Sequence, residues 1–555
     1  LKIVKIIALI MLSVFALDMF AAIYLMHSWI AGVLLPPTFV TMFLLWPGRR
    51  AGAPDEIGWC LGPAIELTNP DRPERIANAY ISPKILNLGL LFIGGPGAGK
   101  TESATLGFIK AMPEHSPGCG WVYFEGKGDI DIYKKCVAMG CLPTHFFSSE
   151  LPGSDTINLF AGEAQDVIDR LSKMLIGETS STSFYSDEQR AVLARVIPLL
   201  RCLPVPTNLR DLYVALSIED AGNELLRRAK EAGANAVDIE LAKAWFAQPM
   251  KDRLKNISGL LNRIFIFVNG PYADRLNAYQ PDIDISRAVA ENESIYLHLP
   301  LTSFAKDVAI AIIEKFGVEA RKRQLAGTEN LKMYPQLFDD WGAFFHAGFG
   351  PYSARCRSAG MPLSFGFQSR AQLDAVGRSF ADELDDTIAT KIILRVQGAA
   401  TAEYAVSLLG EYETPDVGTS DSNLGTKGSS GHSLRYIKKW RIEARQLREL
   451  QAGEAYVSTL AVHDDRMANP LWKLRLPLPA FPGWQNISMP PAREHLAGEG
   501  LSFWMRYMNP SRLAEIQASI QAAELEKERA LVETNTKGRE EARADIELNP
   551  GFALD

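Results

Sequence analysis

The six cysteines of this 555-residue chain form no C-x-x-C pair and no His/Cys cluster. Cys60, Cys119, Cys136, Cys141, Cys202 and Cys356 therefore indicate neither a zinc site nor a disulfide framework, and they fit a reducing compartment. An excess of positive charge is also missing. Against 58 Lys and Arg stand 65 Asp and Glu, a net charge of −7. That excludes a basic coat over the whole chain and leaves room only for local nucleic-acid contact, for example on pore-facing loops. Hydrophobic content of 47% with 22% charged residues is ordinary for a globular protein, and the length calls for two or three domains.

The apolar residues are unevenly spread, because the first 46 positions are almost entirely apolar. Ile3 to Leu25 is long enough to cross a bilayer, and Trp29 to Trp46 gives a second, shorter candidate after a Met-His-Ser link. Lys2 and Lys5 begin the first stretch and Arg49 and Arg50 follow the second, so the positive-inside rule puts both ends in the cytoplasm. A cleaved signal peptide fits poorly, because the apolar run exceeds signal length. Pro36-Pro37 is expected to kink the second span. Asp18 inside the first span is either a contact within the membrane or a protonated, water-reaching side chain near the turn. Leu1 in place of Met points to an alternative start codon or a trimmed terminus.

Beyond the anchor, residues 88–101 form an apolar run ending in G-x-x-x-x-G-K-[ST]. Gly94, Gly95, Pro96, Gly97, Ala98, Gly99, Lys100, Thr101 and Glu102 make up this segment. Glycines let backbone N–H groups converge on phosphates, Lys100 reaches the β- and γ-phosphates, and Thr101 holds Mg²⁺. A β-like run before it and a helix-compatible run, Glu102 to Met112, after it complete the expected setting for ATP. A bland glycine-rich turn would leave Lys100 and Thr101 unexplained.

A linker is expected to about Lys84, and a second strand at Gly120–Glu125, which starts a parallel α/β sheet. Helical spacing then takes over (Val167, Ile168, Leu171, Met174, Leu175; Leu193, Val196, Ile197, Leu200) and predicts an inserted all-α domain. Strand-like runs resume at Ser294–Leu299, Gln336–Phe338, Pro362–Phe367 and Lys391–Val396. Residues 414–433 hold only Val417 and Leu424 as apolar side chains and read as a loop. The tail from Ser511 has ten acidic residues against six basic ones. Leu513, Ile516 and Ile520 give it one apolar stripe, for solvent or for a partner.

Hydrolysis needs a second acidic motif. Asp339 and Asp340 end an apolar run; Asp339 would serve Mg²⁺ and Asp340 would orient the attacking water. Two surface acids at a strand end are the plainer alternative. Asp340 is one methylene shorter than the glutamate usual there. Gln368 ends the next strand, as a γ-phosphate sensor or as a cap. Arg355, Arg357 and Arg370 flank it, and one of them would reach a neighbouring subunit's nucleotide; surface ion pairs are the alternative. Lys127 would face the nucleotide or cap a helix.

The order of these pieces resembles a type IV secretion coupling protein of the TraG/TraD type. The resemblance covers about residues 1–460. It rests on Glu125-Gly-Lys-Gly-Asp129, Arg357-Ser-Ala-Gly360, Gln368-Ser-Arg-Ala-Gln-Leu373, Thr401-Ala-Glu403 with Leu409-Gly410, and Leu450-Gln-Ala-Gly-Glu-Ala455. The Gly-Lys-Thr-Glu102 junction is similar to the DotL-like branch. The resemblance implies an α/β RecA/FtsK-like P-loop NTPase domain with an inserted all-α domain and an N-terminal two-helix transmembrane anchor. The divisions are 1–48 (hairpin), 49–160 and 289–480 (nucleotide-binding), 161–288 (all-α) and 481–555 (extension). It further implies a homo-hexamer at the bacterial inner membrane, multi-pass, with cytoplasmic soluble domains. ATP and Mg²⁺ would be its cofactors, and Lys100, Asp340, Gln368 and Arg357 its catalytic groups. Its partners would be single-stranded DNA with relaxase, or protein effectors, and the type IV secretion channel. Two other functions remain. One is an FtsK-like DNA translocase, disfavoured by two short spans and no DNA-reading C-terminal domain. The other is a receptor platform that binds nucleotide but hydrolyses it weakly.

Overall fold

The computed structural model describes residues 58–176, 184–300, 302–327, 331–339, 344, 349–374, 378–422, 429–463, 466–495 and 498–548. The expected membrane hairpin, 1–48, lies outside them, and so does Asp340. Among the described residues no helix is long and apolar enough to cross a membrane.

Fifteen strands are described. They are β1 (Trp59–Glu66), β2 (Glu74–Ile81), β3 (Leu90–Ile93), β4 (Val122–Glu125), β5 (His145–Ser148), β6 (Ile295–His298), β7 (Gln336–Asp339) and β8 (Leu363–Phe367). There follow β9 (Thr390–Ile393), β10 (Glu411–Ser422), β11 (Ser429–Trp440), β12 (Glu454–Ser458), β13 (Ala461–His463), β14 (Arg466–Ala468) and β15 (Leu471–Arg475). Eleven form one sheet in the order β2-β1-β15-β12-β9-β3-β8-β7-β4-β6-β5. From β9 to β5 the pairing is parallel, and β12, β15, β1 and β2 extend it antiparallel.

The parallel part follows from short, continuously apolar runs. β3, β4, β6 and β7 are buried at every position, as strands covered on both faces must be. Alternation sends Leu91 and Ile93 into one core and Leu90 and Phe92 into the other. The second core is closed by α1 (Leu106–His115) and α2 (Ile130–Ala138) through Phe108, Ile109, Ile132 and Cys136.

Between β5 and β6 the chain is helical. This insertion comprises α3 (Ala164–Leu175), α4 (Phe184–Arg201), α5 (Leu209–Ser217), α6 (Glu219–Glu231), α7 (Ala236–Phe246), α8 (Met250–Asn269) and α9 (Ile285–Glu291). Val167, Leu171 and Met174 of α3 and Leu193, Val196, Ile197 and Leu200 of α4 are buried, as their spacing requires. Asn208 and Asp211 form a capping box that starts α5. After β6 comes α10 (Ser303–Ala326), whose Val308, Ile312 and Phe316 join the same core as the insertion. Then follow α11 (Phe349–Ser358), α12 (Ala399–Leu409), α13 (Phe503–Tyr507) and α14 (Pro510–Leu548).

Three stretches depart from the sequence reading. The expected linker before Lys84 instead supplies β1 and β2, with Trp59, Leu61, Ala79 and Ile81 buried. Its partner β15 lies about 400 positions away, a pairing that no local signal announces. The polar stretch 414–433 is not a loop over most of its length. It belongs to β10 and β11, paired from Glu411↔Trp440 to Ser422↔Ser429. Backbone ladders hold this hairpin, and Thr414 and Tyr412 tie its base to Asp71 at 2.6 and 3.0 Å. The tail folds back on its own chain as α14. Ile516 and Ile520 are buried, Gln517 Nε2 donates to Tyr213 Oη at 2.9 Å, and Glu526 lies 3.4 Å from Lys251. Ile516 and Ile520 of the apolar stripe are covered by the helical insertion, while Leu513 stays partly exposed.

Candidate nucleotide site

β3 delivers the chain to the carboxyl end of the parallel sheet, where the phosphate loop begins. Gly94 N donates to Phe367 O (3.2 Å) and Gly95 N to Arg395 O (2.8 Å), so the loop hangs between the ends of β8 and β9. Gly97 (φ +67°) and Gly99 (φ +93°) are left-handed, a conformation that costs other residues energy. At Gly99 a Cβ would also lie 3.2 Å from Gly453 N. The N–H groups of Gly97 and Gly99 take no part in the backbone bonds that hold the loop. A π-helical turn, Lys100–Thr105, then leads into α1 with its positive end toward the loop.

Asp339, the last residue of β7, collects the site's polar groups. Lys100 Nζ stands 3.4 Å from Oδ1; Thr101 Oγ1 donates to Oδ2 at 2.7 Å and Tyr123 Oη at 3.2 Å. Lys127 Nζ is 3.8 Å from Oδ2. Burial alone would raise the Asp339 pKa. The charges of Lys100 and Lys127 and the two hydroxyl donors outweigh it, and the carboxyl stays below its ordinary range. Burial lowers the pKa values of Lys100 and Lys127, and Asp339 opposes that shift in both.

Glu125 ends β4 directly across from Asp339 and is 1% exposed. It accepts hydrogen bonds from Lys127 N (2.7 Å) and Gly128 N (2.9 Å). Burial nevertheless pushes its pKa up to about 7, with the Asp339 charge adding to the rise. His298, at the end of β6, lies 4.0 Å from Glu125, is bound through Nδ1 to Ser148 Oγ (3.0 Å), and has its pKa lowered by burial.

Of the residues singled out in the sequence, the fold brings Lys100, Thr101, Asp339 and Lys127 together. Glu102 points elsewhere, to an ion pair with Lys135. Gln368 follows β8 beside the loop, and its backbone N–H is held by Gln372 Oε1 at 2.8 Å. Arg357 is exposed near the end of α11, and its carbonyl accepts from Asn87 Nδ2. Arg370 pairs with Asp374 and stacks 4.3 Å from the Tyr404 ring. Neither arginine reaches the loop of its own chain through a bond among the described residues.

Sequence reasoning missed Tyr123 and His298, and it missed two residues that act through position. Gly366 of β8 lies under the site, where a Cβ would come 3.1 Å from Asp339 Oδ1 and 3.4 Å from Lys100 Cδ. A glycine inside a buried strand signals such a close approach. Arg395, just after β9, has Nη2 4.0 Å from where a Gly97 Cβ would sit. It carried no signal beyond its position after an apolar run.

Residues 348–452 match the family described as the TraM recognition site of TraD and TraG. The chain is similar to TraG/TraD-type coupling proteins. It is 19% identical over 442 residues to the type 4 coupling protein DotL of Legionella pneumophila subsp. pneumophila, a match covering 66% of this chain and 55% of that protein. The chain thus spans about half the length of that curated relative. The bacterial conjugative coupling protein TrwB, in its trigonal form with sulphate, superposes with a TM-score of 0.50 at 16% identity, covering 72% of this chain and 87% of that one. TrwB with the ATP analogue ADPNP gives 0.49 at 16% identity, covering 71% and 86%. At such identity the TrwB likeness bears on fold alone, that of an α/β protein built around a largely parallel sheet.

Proposed function

We propose that this chain is a P-loop ATPase that acts as a TraG/TraD-type coupling protein, recruiting substrates to a type IV secretion channel and driving their transfer. The observation that carries the reading is the convergence of Lys100, Thr101 and Asp339 at the carboxyl end of a parallel sheet, under a glycine loop whose Gly97 and Gly99 N–H groups make no backbone bond among the described residues. This donor set fits Mg·ATP. A hydroxyl and an ionised carboxylate 2.7 Å apart suit a hard divalent cation, and the ammonium and amides suit phosphate oxygens. Mg²⁺, when bound, supplies charge stabilisation to the phosphoryl oxygens.

Around it, residues 94–102 would cradle the nucleotide, with Thr101 and Asp339 holding the metal and Lys100 neutralising the transferring group. Asp340 would orient the attacking water, Gln368 would sense the γ-phosphate, and Arg357 would act on a neighbouring subunit of a homo-hexamer. The domain divisions at 1–48, 49–160, 161–288, 289–480 and 481–555, the inner-membrane anchor and the DotL-like branch belong to the same reading. The cargo would be single-stranded DNA with relaxase, or protein effectors. A receptor platform with slow turnover is favoured over a motor by one observation, the short Asp340. Steady-state ATPase of the purified chain, with and without single-stranded DNA, tests the choice. A motor shows DNA-stimulated turnover that Lys100→Ala abolishes. Absence of both contradicts it.

A further inference from the structure

A second basic site lies apart from the phosphate loop. A cavity of about 390 Å³ opens between the segment after β5, α3, the α4–α5 connection and α10. None of its lining residues belongs to the nucleotide site. Three cations line it, Arg170, Arg201 and Lys315, against one carboxylate, Asp284. That carboxylate is engaged in capping α9, accepting from Ser286 N (2.8 Å) and Arg287 N (3.3 Å).

The cations are held in place without being used up. Arg170, 2% exposed, donates to Leu159 O and Ala161 O at 2.9 Å each, and its buried Nε has no partner. Arg201 reaches Thr207 Oγ1 at 3.3 Å, and its Nε is likewise unpartnered. Lys315 is 3.6 Å from Glu319, a carboxylate already shared with Lys322 and Ser286. Gly162 (φ +128°) makes room for them. A Cβ there would lie 3.2 Å from Arg170 Nη2 and 3.4 Å from Lys315 Nζ, so two positive groups converge on one point. Such proximity is unfavourable until an anion arrives. Burial lowers the pKa of both groups, Arg170 to about 10; Asp166 opposes the shift at Arg170 and Arg201 adds to it, while at Lys315 the Arg170 charge adds to it and Glu319 opposes it. The remaining wall is mixed, with Leu203, Val205, Ile283 and Ile312 apolar and Asn158, Thr207 and Tyr279 polar. The volume matches a small-molecule pocket.

We propose that this cavity binds a small organic oxyanion, with a phosphate or carboxylate head on Arg170, Arg201 and Lys315 and a compact apolar body against Leu203, Ile283 and Ile312. The proposal does not depend on the ATPase reading. Isothermal titration of the full chain carrying Lys100→Ala, which disables the phosphate loop, tests it with phenyl phosphate and benzoate as the two head groups. At least one is expected to bind one-to-one, and at least about tenfold more weakly in Arg201→Ala and in Lys315→Met. Arg201→Lys, which keeps the charge and guards against a folding defect, is expected to retain most of the affinity. Inorganic phosphate is expected to bind at least about tenfold more weakly than phenyl phosphate, for want of the apolar body. No binding by either probe, unchanged binding in both variants, or phenol binding as tightly as phenyl phosphate would overturn the proposal.

Discussion

Gly366→Ala probes the nucleotide site from beneath without removing any charged group. β8 lies between β3 and β7, so Gly366 forms the floor over which Lys100 reaches Asp339. A methyl there meets Asp339 Oδ1 at 3.1 Å, Lys100 Cδ at 3.4 Å and Lys100 Cε at 3.5 Å. The backbone at Gly366 is not left-handed, so alanine adds a steric term only. Lys100 and Asp339 are 5% and 2% exposed and must move apart by a few tenths of an ångström. Overpacking of this kind costs about 1–3 kcal/mol. If Lys100 binds phosphate as proposed, its misplacement lowers turnover; about 1 Å costs roughly 100-fold, so a few tenths of an ångström should cost about 3- to 10-fold. The assay is steady-state ATPase at saturating Mg·ATP beside a thermal melt, in which the fold should lose only a few °C, about what 1 kcal/mol produces in a large domain. Turnover within about twofold of the unsubstituted chain would refute the geometry assigned to Lys100 and Asp339.

Asp339→Asn leaves the buried Lys100 without this counter-charge, so denaturant unfolding should show a loss of about 3–5 kcal/mol along with the loss of Mg²⁺-dependent hydrolysis. Glu125, with its pKa raised from 4.5 to about 7, binds its proton more tightly in the folded state. The stability it contributes is complete below about pH 4.5 and is lost as pH rises to about 7, roughly 3 kcal/mol in all. Denaturant midpoints from pH 4.5 to 8 should therefore fall less steeply in Glu125→Gln; parallel curves would count against the assignment. Ile520→Ala opens a cavity where α14 meets the helical insertion, and about 2–4 kcal/mol of local stability should vanish, read as faster hydrogen exchange in 510–525. Arg395→Ala should lower ATPase turnover with little change in the melting temperature.

How much of this was legible in the sequence depends on where each signal resides. β3, β4, β6, β7, β8 and β9 announced themselves as apolar runs, because a strand buried on both faces needs no partner to be recognised. β5, His145–Ser148, carries a histidine and a serine among two phenylalanines and gave no such run. β1 depends on β15, far along the chain, and β2 on β1, while Gly62-Pro63 inside β1 and Pro70 and Pro73 before β2 read locally as a linker. Between Thr414 and Ser433 β10 and β11 are almost wholly polar, so the ladder that holds them leaves no periodic trace there. At the site, Lys100, Thr101 and Asp339 were readable because phosphate and metal chemistry demand those residue types. Gly366 and Arg395 matter through position alone. Their roles appear only when β8 and β9 flank β3.

The central claim is that Lys100 and its neighbours form an ATP-hydrolysing site that powers transport. The most direct measurement is the ATPase rate of the purified chain and of its Lys100→Ala variant, each with and without single-stranded DNA. The account predicts a Mg²⁺-dependent, DNA-stimulated rate that falls about 100-fold or more in the variant, as the loss of a group that stabilises transferring charge requires. Equal rates in the two proteins, unaffected by DNA, would contradict it.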